Sequence, residues 1–196
     1  MSARSAEISR STQETRIDLR LDLDGSGEGR RETGVGFFDH LLDALARHGG
    51  LDLDVRTEGD LETGPHHTVE DTGLALGQAL DEALGDRAGI RRFADAAVPM
   101  DEARAVCAID VSGRPYLAFE GELPEARIGD FDTDLAEEFI RAIANSAKLT
   151  VHLRLEAGHN AHHMVEAAFK AFARALKGAV DMDPGARGIP SAKGLL

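Results

Sequence analysis

The chain repeats itself, and no other feature limits its folding as tightly. Glu14-Thr15-Arg16-Ile17, leading to Leu21-Asp22-Leu23-Asp24-Gly25, is matched 88 positions later by Glu102-Ala103-Arg104-Ala105, leading to Ile109-Asp110-Val111-Ser112-Gly113. Further along the spacing grows. Phe38-Asp39-His40-Leu41-Leu42 falls on Ala136-Glu137-Glu138-Phe139-Ile140, the segment from Leu51 falls on that from Leu149, and His66-His67-x-x-Glu70 falls on His162-His163-x-x-Glu166, 96 positions on. Fixed-offset self-similarity marks one structural unit used twice. The halves, approximately residues 7–91 and 99–182, each read as strand, strand, helix, strand, helix. The expected fold is α+β: two similar halves of mixed β-sheet with packed helices, related by a pseudo-twofold axis.

Periodicity fills in the elements. Ile17, Leu19, Leu21 and Leu23 alternate with polar residues, as do Leu51, Leu53 and Val55, and Val151, Leu153 and Leu155, so each run predicts a strand with one buried face. Helical spacing links Phe37, Phe38, Leu41, Leu42 and Leu45; Val69, Gly73, Leu76, Leu80 and Leu84; Leu135, Phe139, Ile140 and Ile143; and Val165, Phe169, Phe172 and Leu176. With 196 residues the chain fits a single domain, 1–196.

Composition removes several classes of function. Lys and Arg number 22 against 35 Asp and Glu, a net charge of −13 that argues against nucleic acid as a partner. Cys107 stands alone, so a four-ligand thiolate zinc site is excluded and any metal must use His and carboxylate. Met1 to Arg10 lacks an apolar core segment, and no run reaches the ~18 apolar residues of a membrane span. A soluble, cytoplasmic protein without a membrane partner is expected.

Each His-His-x-x-Glu motif opens a helix after a turn. Residues three or four apart share a helix face, so Glu70 lies beneath His66 and His67, whereas adjacent histidines diverge by roughly 100°. Such a pair suits two ions, each taking one imidazole from each repeat, with Glu70 and Glu166 completing the sets. The ligand type accepts Mn²⁺, Fe²⁺, Co²⁺ or Zn²⁺. Two rival readings are a non-catalytic assembly protein whose ions staple subunits together, and a binuclear metallohydrolase of phosphate esters.

Gly36-Phe37-Phe38-Asp39-His40, Gly64-Pro65-His66-His67-Thr68-Val69-Glu70-Asp71, Asp110-Val111-Ser112-Gly113-Arg114-Pro115-Tyr116, Asn160-Ala161-His162-His163-Met164-Val165-Glu166 and Pro190-Ser191-Ala192-Lys193-Gly194 together resemble the imidazoleglycerol-phosphate dehydratases of histidine biosynthesis. The resemblance covers almost the whole chain. It implies a hydro-lyase that removes water from imidazole glycerol phosphate to leave imidazole acetol phosphate. It further implies two Mn²⁺ per active site, and sites built between subunits of a 24-chain homo-oligomer. The hydrogen to be lost sits beside a neutral imidazole with no carbonyl to stabilise a carbanion, so a side-chain base alone faces a high barrier, and a metal that holds the ring as imidazolate lowers it.

Residue roles follow from the same resemblance. Glu14 is nominated as general acid/base, with Glu166 serving both as ligand and base. His40 joins His66, His67, Glu70, His162, His163 and Glu166 as metal ligands. His48 is a substrate or phosphate contact, and Arg92, Arg114, Ser191, Lys193 and, more weakly, Lys170 hold the phosphate, with 183–196 as a C-terminal tail over the active site. Two positions depart from the family pattern: Ala44 stands where a Gln reaches the phosphate, and neither Glu138 nor Asn145 is the histidine expected at one or the other. Glu138 is nevertheless expected to be a metal ligand, because it lies as far before Leu149 as His40 lies before Leu51.

Overall fold

The computed structural model describes residues 4–186, 188–194 and 196; Met1–Ala3, Arg187 and Leu195, which belong to the expected domain and tail, lie outside them. In the first half β1 (Ser5–Ser11) and β2 (Thr15–Asp22) form an antiparallel pair, and the short β3 (Arg31–Glu32) runs parallel to β4 (Asp52–Gly59), which pairs antiparallel with β2. The second half repeats this with β5 (Phe93–Met100), β6 (Ala103–Asp110), β7 (Tyr116–Glu120) and β10 (Thr150–Ala157). Sheet orders are β1-β2-β4-β3 and β5-β6-β10-β7, the same path drawn twice. Ile17, Leu19 and Leu21 on β2, and Ala105, Cys107 and Ile109 on β6, face inward while their neighbours face solvent or the sheet margin.

Four helices carry the inner faces: α1 (Gly36–Gly49), α2 (His66–Leu84), α3 (Leu135–Ser146) and α4 (Ala161–Val180). Helix α2 packs on β1 and β2, and α4 on β5 and β6, but the helix-to-helix contacts cross between halves: α1 lies against α4 and α3 against α2. Both crossings bury one continuous core, and they do so differently. A Cβ on Gly73 would meet Ala142 Cβ at 2.8 Å and the Phe139 carbonyl oxygen at 2.9 Å, and one on Gly77 would meet the Ile143 carbonyl oxygen at 2.8 Å, so α2 approaches α3 backbone to backbone. At the position of Gly73 the second half has Phe169, whose ring stacks on Phe139 at 5.4 Å.

The growth in repeat spacing has a physical cause. Between β7 and α3 the second half inserts a small hairpin, β8 (Arg127–Ile128) and β9 (Phe131–Asp132), without counterpart in the first half among the described residues. Phe131 from this hairpin is fully buried, edge-on to Phe37 and stacked on Phe38 at the start of α1. The hairpin thus closes the core next to the end of α1 that carries His40.

Candidate active site

Only one group of three metal-ligating atoms, all within 4.8 Å of one another, forms among the described residues: His40, His162 and Glu166. It depends on the crossing of α1 with α4. His40 Nε2 lies 3.0 Å from Glu166 Oε1, and His162 Nε2, one turn before Glu166, lies 3.5 Å from Oε2. Phe37 packs against the ring of His162 at 4.8 Å and that of His40 at 5.9 Å, so both imidazoles are propped by the same side chain. Lys170 Nζ, one turn further along α4, stands 3.2 Å from Glu166 Oε1. Burial pushes the Glu166 carboxyl up, but hydrogen bonds from Lys170 and His40 and their charges outweigh it and leave the group below its ordinary value, hence ionised near neutrality. His48, at the far end of α1, is held below its ordinary value by burial and by the charges of Lys170 and Arg174.

The other histidine of each motif is oriented by a carboxylate that sequence reasoning did not single out. His163 Nδ1 lies 2.8 Å from Glu102 Oε2, whose other oxygen accepts from the Asn160 and His159 amides. The hydrogen bond with His163, followed by that from the Asn160 amide, brings the Glu102 carboxyl down to about 2, while the same contact raises the His163 imidazole. His67 Nδ1 is held by Asp60 at 3.0 Å, with the same pair of shifts: Asp60 down, His67 up. A ring whose Nδ1 is engaged by a carboxylate presents Nε2 to a ligand. Glu102 was legible in principle, because it is the repeat equivalent of Glu14; Asp60 sits in a loop two residues longer than its counterpart, where the repeat gives no guide.

Glu14 is placed differently from its equivalent. Its Oε1 lies 3.8 Å from His67 Nε2, and among the described contacts its carboxylate is committed to nothing else. His66 pairs with Glu70 at 3.2 Å. Glu138 lies half-buried in the first turn of α3 and joins no three-donor group among the described residues, although its equivalent His40 does. Ala44 is buried on α1.

Lys170 apart, the cationic candidates gather elsewhere. Arg92 forks onto Asp110 through Nε at 2.7 Å and Nη2 at 3.2 Å, donates through Nη1 to the Pro190 carbonyl at 2.8 Å, and lies over the Phe93 ring at 4.5 Å. Arg114 Nη2 stands 3.8 Å from the same Asp110. The contact with Pro190 brings the tail segment bearing Ser191 and Lys193 to this corner, and the Lys193 amide donates to Ser191 Oγ at 3.2 Å. The Arg92 amide bonds to the Ala179 carbonyl at the far end of α4, and at ~1.5 Å per residue the helix from His162 to Ala179 spans ~25 Å. Within one chain, the cationic corner and the His40–His162–Glu166 group therefore stand at opposite ends of α4.

A model of the imidazoleglycerol-phosphate dehydratase family matches residues 33–176. The imidazoleglycerol-phosphate dehydratase of Moorella thermoacetica is 57% identical over 194 residues, covering 99% of both chains, and that of Gluconacetobacter diazotrophicus is 57% identical over 195 residues, covering 99% of this chain and 98% of its own. The crystal structure of the Staphylococcus aureus imidazoleglycerol-phosphate dehydratase superposes with a TM-score of 0.83 at 38% identity, covering 91% of this chain and 99% of that one. The Pyrococcus furiosus structure gives 0.84 at 35% identity, covering 96% and 100%. By sequence over nearly its full length and by the path of both sheets, the chain belongs to the imidazoleglycerol-phosphate dehydratase family, the hydro-lyases that dehydrate imidazoleglycerol phosphate in histidine biosynthesis.

Proposed function

We propose that this chain dehydrates imidazole glycerol phosphate with two Mn²⁺ ions per active site, in the cytoplasm, as a 24-chain homo-oligomer whose sites form between subunits. One observation carries the metal reading: the convergence of His40, His162 and Glu166 within 4.8 Å, a donor set of two imidazoles and one buried carboxylate that suits a divalent ion of intermediate hardness. His66, His67, Glu70 and His163 complete the ligand sets, with Glu138 as a further ligand. When bound, such an ion supplies the positive charge that acidifies an imidazole ring nitrogen.

The chain's own groups do the rest. Glu14, exposed beside His67, moves a proton at the substrate carbon, and Glu166, kept ionised by Lys170 and His40, exchanges one at its Oε1. Arg92, Arg114, Ser191 and Lys193, with His48 and Lys170, hold the phosphate, and the segment 183–196 closes over it. A three-carbon phosphate cannot span ~25 Å, so the cationic corner of one chain and the metal group of the same chain serve different substrate molecules. Each site then needs a second copy, which is the ground for the assembly. No described helix is long and apolar enough to cross a membrane.

The test is direct. Manganese-loaded protein incubated with imidazole glycerol phosphate yields the ketone, and sedimentation with and without chelator shows metal-linked assembly. Release of inorganic phosphate instead of ketone defeats the reading in favour of a hydrolase.

A further inference from the structure

Beneath the Glu14 strand lies a polar triad that the second half does not possess. Asp71, on the first turns of α2, accepts on Oδ2 from Arg10 Nη1 at 2.5 Å and from the Thr15 hydroxyl, and Arg10 Nη1 also reaches Thr15 Oγ1 at 3.4 Å. Thr15 is 3% exposed and Asp71 8%, so the hydroxyl and the carboxylate are withdrawn from water while Arg10 stays half-buried. At the repeat equivalents of Arg10, Thr15 and Asp71 the second half has Val98, Ala103 and Ala167, with both alanines buried. All three partners change together.

Stability does not account for the triad. A buried ion pair is often no more stabilising than packed apolar residues of similar volume, and the second half folds on the apolar version. What the triad fixes is position. Thr15 is the first residue of β2, and its hydroxyl ties that strand to the same helical turns that bear His66, His67 and Glu70. Glu14, immediately before it, is held on both sides: its amide donates to Thr12 Oγ1 at 3.1 Å, and its carbonyl accepts from the Asp60 amide at 3.1 Å. The approach is close enough that a Cβ on Gly59, opposite Thr15 across the sheet, would lie 2.1 Å from Thr68 Oγ1; the second half carries Ala157 there.

We propose that Arg10, Thr15 and Asp71 are positioning residues for Glu14, setting its carboxylate against the His67 side of the site by locking β2 to α2. The second half lacks the triad, and there the equivalent carboxylate, Glu102, is held by His163 and the Asn160 amide instead. This inference rests on the reading of Glu14 as the proton-moving group.

The experiment measures kcat, KM and bound metal per chain for Asp71→Asn, Thr15→Val and Thr15→Ser, in the wild-type and the Glu14→Gln backgrounds, on the assembled protein with imidazole glycerol phosphate. Thr15→Val keeps the shape and removes only the hydroxyl, so it serves where Asp71→Asn does not fold. A misplacement of Glu14 should lower kcat about tenfold or more while KM and metal content stay within twofold. Thr15→Ser should restore most of the loss, and in Glu14→Gln the same substitutions should change the residual rate less than twofold. Equal losses in both backgrounds, or a loss expressed in KM or metal content, overturn the proposal and leave the reading of Glu14 standing. If Glu14→Gln itself leaves kcat within twofold, that reading fails and the proposal with it.

Discussion

The two halves share one path through their sheets and handle the same His-His-x-x-Glu motif in opposite ways. In the second half the helix start is capped by Asn160, whose side chain accepts from the His162 and His163 amides, and the strand carboxylate Glu102 is spent on orienting His163. In the first half the loop before α2 is two residues longer, α2 begins after Pro65 without a side-chain cap, and the lengthened loop brings Asp60 to His67. The orienting duty passes to Asp60, and Glu14 is released. Of the two repeat-equivalent carboxylates, Glu102 orients an imidazole at 2.8 Å, whereas Glu14 approaches His67 only to 3.8 Å.

The sharpest way to break that comparison is to remove the two equivalents in parallel. Glu14→Gln should lower kcat by ~10²- to 10⁴-fold, the range for a positioned acid/base, with metal content unchanged. Glu102→Gln and Asp60→Asn should instead weaken metal binding by ~10- to 100-fold, the usual cost of losing a carboxylate that orients a ligating imidazole, and regain turnover in excess Mn²⁺. Chelator competition with steady-state kinetics separates the two outcomes, and identical behaviour of Glu14→Gln and Glu102→Gln would erase the division of labour.

Arg92 and Arg4 are also repeat equivalents, each forked onto an aspartate and donating to a distant carbonyl: Asp110 and Pro190 for Arg92, Asp24 and Val180 for Arg4. Arg92→Ala should weaken binding of a phosphate-bearing inhibitor by ~1.5–3 kcal/mol, the worth of a charge-assisted contact, measured by calorimetry. A Gly73→Ala substitution tests the close helix crossing, where overpacking should cost ~1–3 kcal/mol in thermal unfolding while leaving the site chemistry intact. Arg4→Ala should have the smallest effect, ~0–1 kcal/mol, and none on inhibitor binding. The hydrogen bond from Arg4 lowers the Asp24 carboxyl below its ordinary 3.8, so its contribution is present above that pH and disappears as pH falls through the lowered value. Unfolding of Arg4→Ala and the parent protein should therefore converge in acid.

How much of this was legible in the residues depends on whether the signal is periodic. The strands at Ile17–Leu23, Leu51–Val55 and Val151–Leu155 announce themselves because one face is buried along their length, as β2, β4 and β10 prove to be. By contrast β1 alternates in burial but fully buries only Ile8, with Ala6 and Arg10 half-buried beside it, so its apolar signal is too short to detect. The repeated motif points to His162 and Glu166 as ligands and the family resemblance adds His40; that the three meet through the crossing of α1 with α4 is a property of tertiary packing no local pattern encodes. Asp60 and Asp71 were missed for the same reason: their partners His67, Arg10 and Thr15 come from other elements. Glu138, the equivalent of His40, is reached by symmetry alone: among the described residues it joins no three-donor group within the chain, so its place as a ligand rests on the repeat.

The exchange of helices between halves also sets the order in which a newly made chain can settle. Helix α1, whose buried face includes Phe38, Leu41 and Leu45, packs on α4, which follows it in the chain only after α2 and α3. Until residues up to Val180 have emerged, Phe131 and Phe139 can already meet Phe38, but the part of α1 that α4 covers stays open. Closing the core therefore requires a long-range docking step, and a ribosome stalled before α4 holds a nascent chain with apolar surface of α1 uncovered, open to chaperones or to aggregation.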